Sequence, residues 1–327
     1  MQKYCFGIDV GGTTVKCGLF RTAQDTRQAD GRAPELVAKW QIPTRTEDAG
    51  AHVLPDIAET MEEAIKSRWI EPSQVIGIGM GVPGPVLPGG IVNHCVNLGW
   101  GVIPAADELS KLFHGVSVRV ANDANLAALG EFTFGSGAEY DSLIMLTLGT
   151  GLGCGTILQG RILSGYHGSA GEFGHAPLYP QATSACHCGK KGCLEQIASA
   201  TGIVHRAEEL LAEQKAGGHG SASVLQQRET ITAKDVMDAC AAGDPLANQV
   251  VSEMTDALGR GMGCLAATID PEVFVIGGGV SHAGQWLIDR IREHFCEHSF
   301  FAFRETKVVA ASLGNDAGIY GAAALFM

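Results

Sequence analysis

Runs of aliphatic residues bounded by glycine alternate along the chain with segments in which apolar residues return every three or four positions. The first kind predicts strands at 5–10 (CFGIDV), 15–20 (VKCGLF) and 75–82 (VIGIGMGV). The second predicts a helix through Leu54, Ile57, Met61 and Ile65 with Arg68 in its last turn. A longer helix runs through Val250, Met254, Leu258, Met262 and Leu265, stops at Asp270-Pro271 and feeds the strand VFVIGGG. The alternation is that of an α/β protein. Polar, glycine-bearing stretches at 22–34 and 215–225 predict surface loops, and no short-period repeat marks a solenoid.

Two of these segments share a plan. GIDVGGTTVKCGLF at 7–20 and MLTLGTGLGCGTIL at 145–158 both read strand, glycine-threonine turn, strand. At such a tip no Cβ intervenes, so backbone N–H groups can approach phosphate oxygens and form a nest for an anion. Each hairpin alone is also an ordinary tight turn; the repetition favours the anion site. Gly79, Gly81 and Gly84 have the spacing G-x-G-x-x-G, but Pro83 and Pro85 stand where a dinucleotide-binding helix would open, which excludes that site. No G-x-x-x-x-G-K-[ST] occurs, so the chain has no P-loop. IGGGVS at 276–281 follows a strand and precedes a helical pattern, a place where a flat nucleoside can rest against backbone.

A chain of 327 residues with 46% hydrophobic content can bury a large core, and its length suits two lobes better than one. The formal net charge of −12 argues against a broad basic face, so neither nucleic acid nor an anionic membrane is expected as a partner. The chain contains no apolar run of about eighteen residues and opens directly on YCFGIDV, without a basic-then-apolar leader. A cytoplasmic protein is expected.

Cys5, Cys17, Cys95, Cys154, Cys240, Cys264 and Cys296 lie isolated in mostly apolar segments and are expected as small buried hydrophobes in a reducing compartment. The other three cysteines fall within CHCGKKGCLE at 186–195, together with His187. Adjacent thiols can form a redox pair, and three thiolates with an imidazole can close a tetrahedron around zinc. The spacing C-x-C-x₄-C is not the commoner C-x₂-C, and on the residues alone both chemistries stay open.

In order along the chain stand DVGGTT at 9–14, ANDAN at 121–125, LGTGLGCG at 148–155, GEFGH at 171–175, the cysteine cluster, IGGGVS, and LGNDAGIYGAA at 313–323. Together they resemble the ROK family of bacterial sugar kinases, and its glucokinases most of all, over nearly the whole chain. The glycine hairpins are shared with a wider group of actin-like and hexokinase-like ATPases; E-x-G-H followed by C-x-C-G-x-x-G-C-x-E is far more restricted. The resemblance implies a two-lobed, actin-like ATPase fold of the α/β class. Its cleft is expected between a small lobe (1–122 and 314–327) and a large lobe (123–313), with a last helix from about Asp316 returning to the small one. The implied reaction moves the γ-phosphoryl of Mg-ATP to the 6-hydroxyl of a hexose, with glucose as the best single substrate; a kinase for N-acetylmannosamine, N-acetylglucosamine, allose or fructose, polyphosphate as donor, and a noncatalytic sugar sensor are the alternatives. Family members that repress transcription place a helix-turn-helix segment before this body; here the first hairpin begins within ten residues of Met1, so a repressor is not expected. Relatives form dimers or tetramers, and a homodimer or homotetramer is expected.

The resemblance also implies roles residue by residue. His175, Cys186, Cys188 and Cys193 match the ligands of a structural Zn²⁺, with His187 turned to solvent. Glu172, His175 and Glu195 match residues that bind sugar hydroxyls, while Asn122 grips a ring hydroxyl and Gly84 lets backbone approach the sugar. Asp123 matches the catalytic aspartate that accepts the proton of the attacking hydroxyl. Asp9 would orient a Mg²⁺; Gly11, Gly12 and Thr13 would line one side of the phosphates and Gly149, Thr150, Gly151 and Gly153 the other. Gly277, Gly278 and Gly279 would lie near the nucleoside. The stretches 80–90 and 97–100 are expected at the small lobe's face of the cleft. Lys16 stays outside the set, because strand alternation leaves its direction open.

Overall fold

The computed structural model describes residues 2–22, 34–217 and 223–327. The predicted strands form as Tyr4–Val10, Thr14–Arg21 and Val75–Val82, neighbours in one five-stranded sheet. Its order is Glu35–Pro43, Thr14–Arg21, Tyr4–Val10, Val75–Val82, Val118–Asn122. The first two pairings are antiparallel and the last two parallel. Cys5, Phe6, Ile8 and Val10 are all fully buried on both faces of this central strand, which is why it reads as an apolar run interrupted only at Asp9 near its end. Helix Val53–Lys66 buries Leu54, Ile57, Met61 and Ile65 as one stripe, each side chain worth about 2 kcal/mol of transfer free energy. Arg68 corrects the expectation that it lies in the last turn: the helix is capped at Ser67, and the Arg68 guanidinium reaches back to donate to the Ala64 carbonyl at 2.9 Å.

Two compact units result: Met1–Leu143, Gly155–Gly171 and Ser312–Met327 form one, Ile144–Cys154 and Glu172–Ala311 the other. The expected boundary at 122/123 therefore moves to 143/144. Helix Asp123–Phe134 belongs with the first unit because it packs on helix Ala317–Ala324, with Gly130 and Gly321 allowing the two backbones to meet. That last helix does return to the first unit, where Ile319 and Ala323 bury against Cys5 and Phe20. Gly79 makes the seat: a Cβ there would stand 1.8 Å from the Ala322 carbonyl oxygen. The stretches 80–90 and 97–100 contribute to a three-stranded sheet of Val86–Leu87, Ile91–Cys95 and Trp100–Ile103 in the same unit.

The second unit takes residues 144–148 of strand Ser142–Leu148, residues 152–154 of strand Leu152–Leu158, and all of strands Val273–Gly277 and Lys307–Ala310 from the other five-stranded sheet. Helix Pro245–Ile269 buries Val250, Met254, Leu258 and Met262 and leaves Leu265 half-buried. It stops at Asp270, whose left-handed φ of 54° turns the chain before Pro271. Among the isolated cysteines, Cys264 is exposed and Cys296 half-buried, a correction to the expectation that all seven are buried. The outward turns of helices Pro245–Ile269 and Gln285–His298 carry these two. Residues 23–33 and 218–222, most of the two predicted surface loops, lie outside the described residues. Of the described end of the second, Val224 is exposed while Ser223 and Leu225 are buried, and the Ser223 hydroxyl donates to Asp244 at 3.0 Å.

Candidate active site

In the first hairpin, Val10 pairs with Val15 and Asp9 with Lys16, so the turn holds Gly11, Gly12 and Thr13. Thr44 braces it: its N–H donates to the Thr13 carbonyl at 2.9 Å and its hydroxyl to the Gly11 carbonyl at 2.7 Å. Gly12 and Thr13 are exposed at the tip. Asp9 is half-buried at the strand's end, and burial raises its carboxyl above the usual range while the Lys16 ammonium, 3.6 Å away, pulls it back part of the way. The antiparallel register puts both side chains on one face, a pairing that symmetry about the turn could have supplied from the sequence.

Asn122 ends a strand and caps helix Asp123–Phe134; its Oδ1 accepts the Asn125 N–H at 3.2 Å and its Nδ2 donates to the Gly84 carbonyl at 3.4 Å. Asp123 is the first helical residue, half-buried, with Oδ1 accepting the Ala124 N–H at 2.8 Å. The Gly84–Asn122–Asp123 group and the Asp9 hairpin all belong to the first unit.

The second unit gathers the rest. Gly149 to Gly151 turn the chain between two neighbouring strands, the Gly149 N–H donating to the Gly151 carbonyl at 3.0 Å, and Gly153 follows in the second strand. Gly277 ends a buried strand, Gly278 takes a φ of 84°, and Gly279 is exposed. Glycine is required at Gly278 twice over, since a Cβ would also stand 2.5 Å from the Leu148 carbonyl oxygen.

The cysteine loop is folded by Gly189, at φ 84°, which reverses the chain so that the Cys186 N–H donates to the Lys190 carbonyl at 2.7 Å and the Gly189 N–H to the Cys186 carbonyl at 2.8 Å. Cys186 and Cys188 thereby share one side of the turn. Cys193 is fixed by Gln196, whose Oε1 accepts its N–H at 3.1 Å. The short helical turn Glu172–His175 brings in the imidazole, and the ligand atoms of His175, Cys186, Cys188 and Cys193 all lie within 4.8 Å of one another. Cys186 Sγ is 3.6 Å from His175 Nδ1, and Cys188 Sγ is 3.5 Å from Cys193 Sγ. A zinc–thiolate tetrahedron has edges of about 3.8 Å, so the residues present fit that ion. His187 is exposed and outside the cluster. Burial pushes the Cys193 thiol up to about 12 and raises Cys186 as well, while the Lys190 backbone N–H lowers Cys188. A cation among them reverses that cost, because metal-bound thiols are deprotonated.

With Nδ1 facing the thiols, His175 turns Nε2 towards Glu172, 3.9 Å from its carboxylate. Glu195, two residues past Cys193, has Oε1 3.9 Å from Cys186 Sγ and accepts the Leu152 N–H on Oε2 at 3.0 Å. The ROK family model matches residues 5–327. The chain belongs to the ROK family. It is 39% identical over 322 residues, 98% of this chain and 94% of the relative, to a glucokinase of Halalkalibacterium halodurans, and 36% identical over 324 residues, 98% and 96%, to one of Thermotoga maritima. The crystal structure of a ROK family glucokinase from Streptomyces griseus in complex with glucose and AMPPNP superposes with a TM-score of 0.75 at 32% identity, covering 98% of both chains. The fold of this ROK chain is therefore the actin-like ATPase fold. Thr44 in the first unit and Leu152 in the second, whose N–H groups donate to the Thr13 carbonyl and to Glu195, were not singled out by the sequence.

Proposed function

We propose that the protein is an ATP-dependent glucokinase that transfers the γ-phosphoryl group of Mg-ATP to the 6-hydroxyl of glucose. The observation that carries this reading is the division of His175, with Nδ1 among three thiols and Nε2 beside Glu172, in a chain 36–39% identical to two glucokinases over nearly its full length and 30% identical to N-acetyl-D-glucosamine kinases. A zinc-bound imidazole keeps its second N–H as a donor, so His175 serves metal and sugar together. Glu172, His175 and Glu195 bind sugar hydroxyls, Asn122 sets the register of the ring, and Gly84 admits backbone close to it. Asp123 accepts the proton of the 6-hydroxyl as it attacks. The turns at Gly11–Thr13 and Gly149–Gly153 offer backbone N–H groups to the phosphates, Gly277 to Gly279 support the nucleoside, and Asp9 orients the hydrated Mg²⁺. His175, Cys186, Cys188 and Cys193 would hold a structural Zn²⁺, and a Mg²⁺ oriented by Asp9 would neutralise phosphate charge.

Cytoplasmic location and assembly as a homodimer or homotetramer belong to the same reading. Among the described residues no helix is long and apolar enough to cross a membrane; light scattering tests the assembly. The activity is tested by coupled ADP release with Mg-ATP and, in turn, glucose, N-acetylmannosamine, N-acetylglucosamine, allose and fructose, with polyphosphate as an alternative donor. The expected result is a clear preference for glucose. Preference for another sugar transfers the protein to a different ROK kinase, and sugar binding without phosphoryl transfer from either donor removes the kinase reading.

A further inference from the structure

The segment that follows Cys193 is fastened to the second glycine turn at three successive points. Glu195 Oε2 accepts the Leu152 N–H at 3.0 Å, the Ala200 N–H donates to the Gly149 carbonyl at 2.8 Å, and the Thr201 hydroxyl donates to the Thr150 carbonyl at 2.9 Å. Gly151 lies under the first of these. Its φ is outside the left-handed region, so the turn itself does not demand glycine; a Cβ would instead stand 2.4 Å from Glu195 Oε2. The space a side chain would fill is taken by the carboxylate.

We infer that Glu195 is a positioning residue that couples the sugar site to the phosphate turn at 149–153. The inference rests on the glucokinase reading above. With Oε2 accepting from Leu152, Oε1, which faces Cys186 Sγ at 3.9 Å, keeps lone-pair capacity to accept from a sugar hydroxyl. A hydroxyl held there keeps the carboxylate against the Leu152 N–H and so keeps the turn in its phosphate-ready form. A phosphate seated on the turn holds Leu152, and through it the carboxylate. Such coupling is reciprocal: each ligand tightens the other by the same factor.

The test crosses the two sites in the full-length, zinc-loaded protein. Gly151→Ala changes the phosphate turn, and glucose binding is measured by calorimetry without nucleotide; Thr201→Val changes the cysteine segment, and binding of a nonhydrolysable ATP analogue is measured without glucose. The expected results are a glucose Kd raised about tenfold in the first, because a methyl group displaces the carboxylate, and an analogue Kd raised about fivefold in the second, for one lost hydrogen bond. In both, the factor by which glucose tightens analogue binding shrinks. Zinc content and thermal melts establish folding, and if Gly151→Ala does not fold, Thr201→Val decides. Crossed constants within about twofold of the unaltered protein overturn the coupling while the kinase reading stands. An unaltered protein that binds neither ligand overturns both.

Discussion

The Lys16 ammonium sits 3.6 Å from Asp9 Oδ2 across the first hairpin and donates to the Asn315 carbonyl at 3.3 Å. Asp9 is a carboxylate that burial drives towards its neutral form, and Lys16 opposes that shift. Lys16→Met is expected to raise KM for Mg-ATP about fivefold, the worth of a partly exposed ion pair, with glucose affinity unchanged. Lys16→Arg is expected to restore most of the loss, since a cation returns to the same face. An unchanged KM in the methionine variant removes Lys16 from the site.

Asp123 begins a helix whose cap, Asn122, fixes its backbone independently of the aspartate. Asp123→Ala is therefore expected to lower kcat by at least about a hundredfold, the usual contribution of a general base, while glucose still binds. Turnover near that of the unaltered protein would show that another group takes the proton.

Cys188 is the exposed member of the four-ligand cluster. Cys188→Ser is expected to lose the zinc ion and to weaken glucose binding about tenfold or more, the typical consequence of disturbing the shell that orients ligands. Metal analysis and calorimetry on the same sample check both halves. Full glucose affinity in a zinc-free protein would separate the metal from the sugar pocket.

Gly79→Ala places a Cβ 1.8 Å from the Ala322 carbonyl oxygen, whereas at Gly101 a Cβ meets nothing within 4 Å. The first is expected to cost about 3 kcal/mol by forcing the last helix off the sheet, and the second to lie within about 0.5 kcal/mol of neutral. Denaturant unfolding of the two variants side by side measures the contrast.

The guanidinium of Arg206 grips Glu253 with Nε to Oε2 at 2.7 Å and Nη2 to Oε1 at 3.2 Å. Burial alone would raise Glu253, but the Arg206 pair prevails and holds the carboxyl below its usual range. A depressed carboxyl contributes stability above the unfolded carboxyl pKa and loses it as pH falls through the folded value. Glu253→Gln is expected to cost about 1 kcal/mol at pH 7, a difference that shrinks as pH drops from about 5 towards 3. A pH-independent difference in urea midpoints would assign the effect to packing.

The sequence by itself determined the elements whose signals are local. Strand Val75–Val82 and the end of helix Pro245–Ile269 at Asp270 follow from an apolar run and from a helical period stopped before proline. The two glycine-threonine turns and the cysteine-rich loop were legible because each packs its chemistry into a few consecutive positions. What lay beyond local reach was the choice of partner. Periodicity says which face of a segment is apolar, not what covers it, so the allegiance of helix Asp123–Phe134 to the last helix emerged only from packing. Chain reversal, likewise, puts His175 Nδ1 among thiols eleven and more positions away and Glu195 against the Leu152 N–H. These contacts join residues far apart in the chain, and the folded backbone alone brings them within hydrogen-bonding distance.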